Sequence, residues 1–435
     1  MERPNVLLII SDDQGFGDFG FTGNTLASTP QLDRLAGDSA VYRNFVVAPA
    51  CSPTRAALLT GRDHLLTGVW GVGPRANLRE DETRMPRFFQ AAGYRTAHIG
   101  KLDCAKVGKK TPSDFGWDWW LGNGKYDHHD PLLYEPGRHE KESGWTVDLY
   151  TQRAQEFIRA NRDKPWFLSL AYITPHLPWH CDPQSSERFL TKGASPDLAE
   201  CYGMIAQMDA AVGRLLETLQ ETSQEKRTIV VFLSDNGPNG PETMDLPPSD
   251  QVPGEDWRKR NIAGLRGYKP MVWENGILSP LLIRWPGRIP PGGRKQFATV
   301  EDLLPTLLDL AGISNDMVPH LPFTGISIRE SLKNAAAKVS RPPALRLAIA
   351  GPGAARGGPP DMPRPLGIHH VALRGERFKY HSLPGGKHTL YDLQADPGET
   401  TDVSSKHPNI LARMAGECEA RWREVLESGR AFAAP

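Results

Sequence analysis

The chain has 435 residues, with Lys+Arg and Asp+Glu both at 51, so its formal net charge is +0. A neutral chain has no global field with which to hold nucleic acid or an anionic membrane, so any anion must be recognised locally. The length suffices for one large domain and a smaller one, and the five cysteines (Cys51, Cys104, Cys181, Cys201, Cys418) lack the spacing of a disulfide framework or a structural zinc site.

In chain order, the apolar run Val6 to Ile10 is shorter than a signal h-region and runs straight into acidic residues, so it reads as a buried strand spanning Asn5 to Ile10. No targeting segment is predicted. The expected compartment is periplasmic or secreted if a signal has been removed, and cytoplasmic otherwise. Helices are predicted at Pro30 to Ala36, Pro53 to Leu59 and Met85 to Ala92, then a strand at Arg95 to Ile99. Phe115 to Trp145 holds Trp117, Trp119, Trp120, Trp145, His128 and His129 with few periodic apolar positions, and reads as a long ordered insertion. Helix Val147 to Asn161, strand Trp166 to Ile173, helix Pro196 to Gln220 and strand Thr228 to Leu233 follow. Ser234 to Gly267 reads as a second active-face loop, Leu281 to Trp285 as a strand and Val300 to Ala311 as a helix. Pro342 to Pro365, rich in Pro, Gly and Ala, is expected to be a connector between a domain at 1–340 and a C-terminal subdomain at 366–435. That subdomain would hold antiparallel strands at His369 to Tyr380 and Thr389 to Leu393 and a closing helix at Pro408 to Leu426. No run approaches the ~20 apolar residues of a membrane helix, so a soluble chain with no membrane span is expected.

This alternation predicts an α/β fold, a mostly parallel sheet flanked by helices, with a small C-terminal α+β subdomain. Four predicted strands run into reactive residues: Ser11-Asp12-Asp13, Gly100-Lys101, Thr174-Pro175-His176 and Ser234-Asp235-Asn236-Gly237. In open parallel sheets ligands bind at the carboxyl ends of strands, so these clusters are expected to converge. Asp12, Asp13, Asp235 and Asn236 offer hard oxygen ligands without imidazole or sulfur, which suits Ca2+, with Mg2+ second, and not zinc. Ser52 is placed to cap a helix starting at Pro53, which would set residue 51 at its positive end with Arg55 one turn on.

The segment Cys51-Ser52-Pro53-Thr54-Arg55, followed by Ala56-Ala57-Leu58-Leu59-Thr60-Gly61-Arg62, resembles the modification signature of the type I, formylglycine-dependent sulfatases of the alkaline phosphatase superfamily. The resemblance runs on through Leu281-Leu282-Ile283-Arg284-Trp285-Pro286-Gly287 to Leu390-Tyr391-Asp392-Leu393. It implies an alkaline phosphatase-like fold and hydrolysis of a sulfate ester by a metal-binding hydrolase. It also implies that Cys51 is oxidised to formylglycine by a formylglycine-generating enzyme before folding. A calcium ion would be held by Asp12, Asp13, Asp235, Asn236 and the group at Cys51. Arg55, Lys101, His176 and Lys269, the last in Leu265-Arg266-Gly267-Tyr268-Lys269, would bind the sulfate, and His176 and Lys269 would protonate the leaving alcohol. Such fixed charges act on the charge that develops in the transition state.

One departure from the family is marked: members usually read Gly-Lys-Trp-His where this chain reads Gly100-Lys101-Leu102-Asp103. Asp103 is then the candidate base assisting sulfate release, at the cost of a negative charge beside an anionic substrate. His98, His128 and His129 are candidates to compensate. Trp70, Trp117, Trp119, Trp120 and Trp179, with His64 and His180, favour a sulfated carbohydrate, because aromatic planes suit sugar rings. Two alternatives stay open: a phosphate or phosphonate ester hydrolase of the same superfamily, and a catalytically impaired binder of sulfated glycans.

Overall fold

The structure, a computed structural model, describes residues 3–73, 76, 78–104, 111–240, 256, 259–260, 263–349 and 369–428. Its frame is an 11-stranded sheet in the order β10-β2-β9-β8-β1-β7-β3-β4-β5-β6, with β11 beside β2. The strands are β1 (Asn5–Ser11), β2 (Ala40–Val46), β3 (Arg95–Gly100), β4 (Trp119–Asn123), β5 (Leu132–Glu135), β6 (Arg138–Lys141), β7 (Trp166–Ala171), β8 (Thr228–Ser234), β9 (Leu278–Arg284), β10 (Gly292–Arg294) and β11 (Ala298–Thr299). The central run β8-β1-β7-β3-β4 is parallel throughout, whereas β9 is antiparallel to both β8 and β2. The expected mostly parallel α/β sheet is therefore present.

A central strand covered on both faces must be apolar at consecutive positions. In β1, Val6, Leu8 and Ile10 enter one core with α2 (Cys51–Thr60), α3 (Met85–Ala91) and the helix Leu303–Ala311. Leu7 and Ile9 enter the opposite core with α1 (Pro30–Gly37), α4 (Thr146–Ala160) and α5 (Pro196–Glu221). The side chain of Ser195 caps α5 by accepting from Leu198 N at 3.2 Å.

Strand β2 escapes the sequence pattern because its centre carries Arg43 and Asn44, and the register slips between Tyr42 and Phe45 there. The insertion 115–145 is ordered, as expected, and its form is antiparallel: β4, β5 and β6 extend the sheet edge from β3. Much of the expected active-face loop, 241–255 with 257–258 and 261–262, lies outside the described residues.

A second sheet of four antiparallel strands joins β12 (Ala344–Leu347), β13 (Val371–Arg374), β14 (Phe378–Leu383) and β15 (Lys387–Asp392), under the helix Pro408–Glu427. Two expectations need correction. The segment His369 to Tyr380 is not one strand: it turns at Gly375, whose N–H reaches Phe378 O at 3.0 Å, and so divides between β13 and β14. The expected connector begins with a strand, β12; its remainder from 350 lies outside the described residues.

Gly100 ends β3 with φ +101, and a Cβ there would stand 1.9 Å from Ala171 O on β7. Only glycine fits, and the turn it makes lets Lys101 N donate to that same carbonyl at 3.0 Å. Gly100→Ala is expected to lower unfolding stability by at least about 3 kcal/mol, combining left-handed strain with a displaced strand. Chemical denaturation would measure it, and an unchanged midpoint would show that β3 and β7 part without cost.

Candidate active site

Because β8, β1, β7 and β3 are neighbours running in parallel, their carboxyl ends open side by side. The segments that follow bring Asp235-Asn236, Asp12-Asp13, His176 and Lys101-Asp103 together. The helix α2 enters from the β2 side and carries Cys51 and Arg55.

The polar groups are buried and pair in register. Lys101 Nζ meets Asp12 Oδ2 at 2.7 Å, Lys269 Nζ meets Asp13 Oδ1 at 2.6 Å, and the Arg55 guanidinium meets Asp235 Oδ2 at 2.7 Å. Arg55 also donates to Lys101 O at 2.5 Å. Asp13 adopts φ 63, which Asp tolerates, and its carboxylate further accepts from Asn236 Nδ2 at 2.7 Å and Asn239 Nδ2 at 2.8 Å, with His176 Nε2 at 3.6 Å. A Cβ on Gly237 would strike Asn275 O at 1.7 Å, so glycine there lets the Asp235-Asn236 segment lie against the loop that carries Lys269.

Two buried acceptors, Asp12 Oδ1 and Asn236 Oδ1, have no hydrogen-bond donor on them. Burial first, then the neighbouring Asp12, Lys101 and Arg55 notwithstanding, pushes Asp235 up to about 7; burial likewise raises Asp12, while Lys269 and His176 outweigh burial at Asp13 and hold it low. Asp12, Cys51 and Asp235 each offer a ligand atom within 4.8 Å of the others, as do Asp12, Asp13 and His176. Bare oxygen acceptors among crowded carboxylates suit a hard divalent cation.

The helix α2 begins at Cys51, with Ala50 as its N-cap and no side-chain cap. The expectation that Ser52 caps a helix starting at Pro53 is therefore corrected: Ser52 Oγ donates to Asp103 Oδ2 at 2.9 Å, and Thr54 Oγ1 instead accepts from Ala48 N at 2.9 Å. Residue 51 still sits at the positive helix end. Cys51 is 3% exposed, and burial followed by the Asp103 charge raises its thiol pKa far above normal, so the thiol itself is a poor nucleophile.

Asp103, at φ 53, hydrogen-bonds Cys51 and lies 3.7 Å from Lys101. Burial pushes its carboxyl up, but Lys101, the Cys51 contact, Arg55 and Ser52 outweigh it and keep the group ionised. Compensation comes from these cations, not from spare histidines. His98 faces Ser169 at 3.2 Å and is lowered to about 3 by burial and Arg55; His128 Nε2 contacts His176 O at 2.9 Å; His129 packs on Trp145.

His176 is lowered to about 4 by burial, with Lys269 and Lys101 acting against Asp13. Its ring stacks on Tyr126 at 3.8 Å, and Lys101 Nζ lies over the same Tyr126 ring at 4.8 Å. Sequence reasoning missed Tyr126, Asn239 and the structural role of Ser52. Asn239 stands close after the Asp235-Asn236-Gly237 strand end and was findable; Tyr126 carries no local signal. Of the aromatics expected around a sugar, Trp70, Trp117 and His64 are core residues at 4%, 3% and 0% exposure, whereas Trp179 and His180 lie on the rim beyond His176.

The carboxyl of Asp235 titrates near 3.8 when unfolded and about 7 when folded. Between those values the folded chain keeps a proton that the unfolded chain has lost. In chelator, this group's stabilisation is therefore present below about pH 4 and lost as pH rises through about 7. Asp235→Asn is expected to flatten that slope, and a divalent cation to raise the melting temperature most near and above pH 7. A melting series with and without chelator checks both; a cation effect independent of pH would contradict them.

Comparison with known proteins follows the same outline. A family model described as Sulfatase matches residues 4–313. The N-acetylgalactosamine-6-sulfatase of Mus musculus is 31% identical over 348 residues, which cover 72% of this chain and 63% of the relative, so the chain spans under two thirds of that protein's length. The ulvan-active sulfatase of Formosa agariphila is 27% identical over 451 residues, covering 98% of this chain and 81% of the relative. In fold, the chain is similar to Ps i-CgsB with a TM-score of 0.80 at 24% identity, over 97% of this chain and 93% of that one. With acidic, cationic and cysteine motifs meeting at adjacent strand ends and a family match running through residues 4–313, this chain belongs to the sulfatase family.

Proposed function

We propose that the protein hydrolyses a sulfate ester on a carbohydrate, using formylglycine made from Cys51 and a calcium ion. The observation that carries this reading is the position of Cys51. It occupies the first residue of α2, buried against Asp103, with its Sγ within 4.8 Å of carboxylate oxygens of Asp12 and Asp235. A side chain 3% exposed is poorly accessible to a modifying enzyme, which agrees with oxidation by a formylglycine-generating enzyme before folding. The sugar class is supported by the relatives: the mouse protein is an N-acetylgalactosamine-6-sulfatase, the Formosa protein is ulvan-active, and Ps i-CgsB has been crystallised with k-i-k-neocarrahexaose.

Asp12, Asp13, Asp235 and Asn236 would hold the calcium, with Asp12 Oδ1 and Asn236 Oδ1 the acceptors free to face it. When present, calcium supplies Lewis-acid polarisation of a sulfate oxygen, and formylglycine, as its hydrate, supplies the nucleophile. The chain's own residues do the rest. Arg55 and Lys101 are fixed cations at the floor of the site, held by buried ion pairs, and would take sulfate oxygens without reorganising. Asp103, ionised and hydrogen-bonded to residue 51, would accept the proton given up there as sulfate leaves, the role that the family resemblance gives to a histidine at this position. Lys269, held charged by Asp13, is placed to protonate the departing alcohol. His176 is neutral in this arrangement, chiefly through burial, and a sulfate anion beside it would shift its pKa upward, toward the charged form that the same task needs.

Protein co-produced with the formylglycine-generating enzyme is expected to release inorganic sulfate from sulfated saccharides or an aryl sulfate, and Cys51→Ala to release none. Lys101→Ala and Lys269→Ala should each lower kcat roughly a hundred- to a thousand-fold. Asp103→Asn should lower kcat by about a hundredfold or more and leave KM nearly unchanged. Phosphate release in place of sulfate, with Cys51 conversion verified by mass spectrometry, would replace this reading with that of a phosphoester hydrolase.

A further inference from the structure

Beyond His176 lies a cluster of three rings, two exposed imidazoles on a half-buried indole, that the reaction chemistry does not use. Trp145 lies with its ring centroid 4.5 Å from His129 and 5.0 Å from His180, and the two imidazoles are 6.3 Å apart. The base of Trp145 packs against the core that includes Val147 and Tyr150, while the His129 side chain is 41% exposed and His180 is exposed. Three rings thus form a corner rather than a stack, with a rigid indole as its floor.

The corner is joined to the reaction site by short, direct contacts. His128 Nε2 meets His176 O at 2.9 Å, next in sequence to His129, and Thr146 N donates to His128 O at 2.9 Å, next to Trp145. Trp179 Nε1 donates to Pro175 O at 3.0 Å and holds the turn that leads from His176 to His180. Four residues of chain reach at most about 14 Å, so His180 lies within the length of a short oligosaccharide from His176. Both segments that bear the corner are therefore fixed to the residue that faces the leaving group.

We propose that Trp145, His129 and His180 form a recognition subsite for the sugar unit next to the one that carries the scissile sulfate. The indole offers an apolar face for the C–H surface of a pyranose, and the imidazoles offer hydrogen bonds to its hydroxyl or sulfate groups. The three come from two stretches of chain, the insertion that bears His129 and Trp145 in separate loops and the turn after β7 that bears His180, which makes the corner dependent on the fold and not on any local motif. The Asp130 carboxylate lies 3.5 Å from His129 Nδ1 beside this corner. This inference deepens the sulfatase reading and rests on it: the enzyme is built to act on an oligosaccharide in preference to a sulfated monosaccharide.

The test compares kcat/KM on sulfated tetrasaccharides of the galactosamine, glucosamine and galactose types with kcat/KM on the matching sulfated monosaccharides. Trp145→Ala, His129→Ala and His180→Ala should each reduce the tetrasaccharide-to-monosaccharide ratio, by about tenfold for the tryptophan, through KM. Trp145→Phe should keep most of the preference, and the two exposed histidine variants guard against misfolding at the half-buried tryptophan. Equal losses on both lengths, or none, would overturn the subsite. If no probe releases sulfate, the catalytic reading has failed by itself, and calorimetry of the tetrasaccharides with Cys51→Ala protein then decides the subsite. Binding that Trp145→Ala abolishes would support it; no binding, or binding indifferent to Trp145, would overturn it.

Discussion

Three carboxylates and three cations are buried together at the ends of adjacent strands, and the structure around them is arranged so that each charge has a partner. Asp12 with Lys101, Asp13 with Lys269 and Asp235 with Arg55 stand at 2.6 to 2.7 Å. Leaving any one of these alone would cost about 3–5 kcal/mol, so the pairs hold the segments that bear them in one geometry. The same arrangement leaves Asp12 Oδ1 and Asn236 Oδ1 without donors. Two hard oxygens short of donors among paired charges suit a divalent cation.

The loop that carries Lys269 is held from the other side by the four-stranded sheet. Glu274, in the turn that follows Lys269, is buried beneath Arg374 at 3.1 Å and Lys379 at 2.9 Å, and Lys379 also meets Glu399 at 3.0 Å. Glu399 Oε2 accepts from Glu274 N at 2.6 Å, His381 contacts the other oxygen of Glu399 at 2.8 Å, and Ile349 N reaches Pro270 O at 3.1 Å. Lys269 is thus positioned through a buried ionic network whose remote half lies more than a hundred positions away in the chain, on β13, β14 and the segment after β15. In the proposed reaction the small sheet would act through the placement of this one ammonium group.

The replacement at Asp103 illustrates how context sets a residue's role. Beside an anionic substrate a second carboxylate is a liability, yet here Lys101, Arg55, Ser52 and residue 51 surround it, and it stays ionised despite burial. A carboxylate held that way is deprotonated at neutral pH and so open to act as a proton acceptor in the proposed reaction, as a base weakened by the same cations.

By itself the sequence determined the fold class and the core of the site. Consecutive apolar positions in β1, β7 and β8 demand burial on both faces, which is the mark of a parallel sheet, and reactive residues at each strand exit then have to converge. It could not show β2, whose apolar pattern is broken at Arg43 and Asn44 and whose partner β9 is remote in the chain, and the division of His369 to Tyr380 rests on a local turn at Gly375 within one apolar-rich run. Which aromatics are core and which are rim was equally hidden: Trp117 and Trp145 belong to the same insertion, and only packing buries one at 3% exposure and leaves the other beside two imidazoles. Tyr126 under Lys101 and Ser52 on Asp103 were decided by tertiary structure alone, because each contact joins segments whose separation in sequence carries no periodic signal.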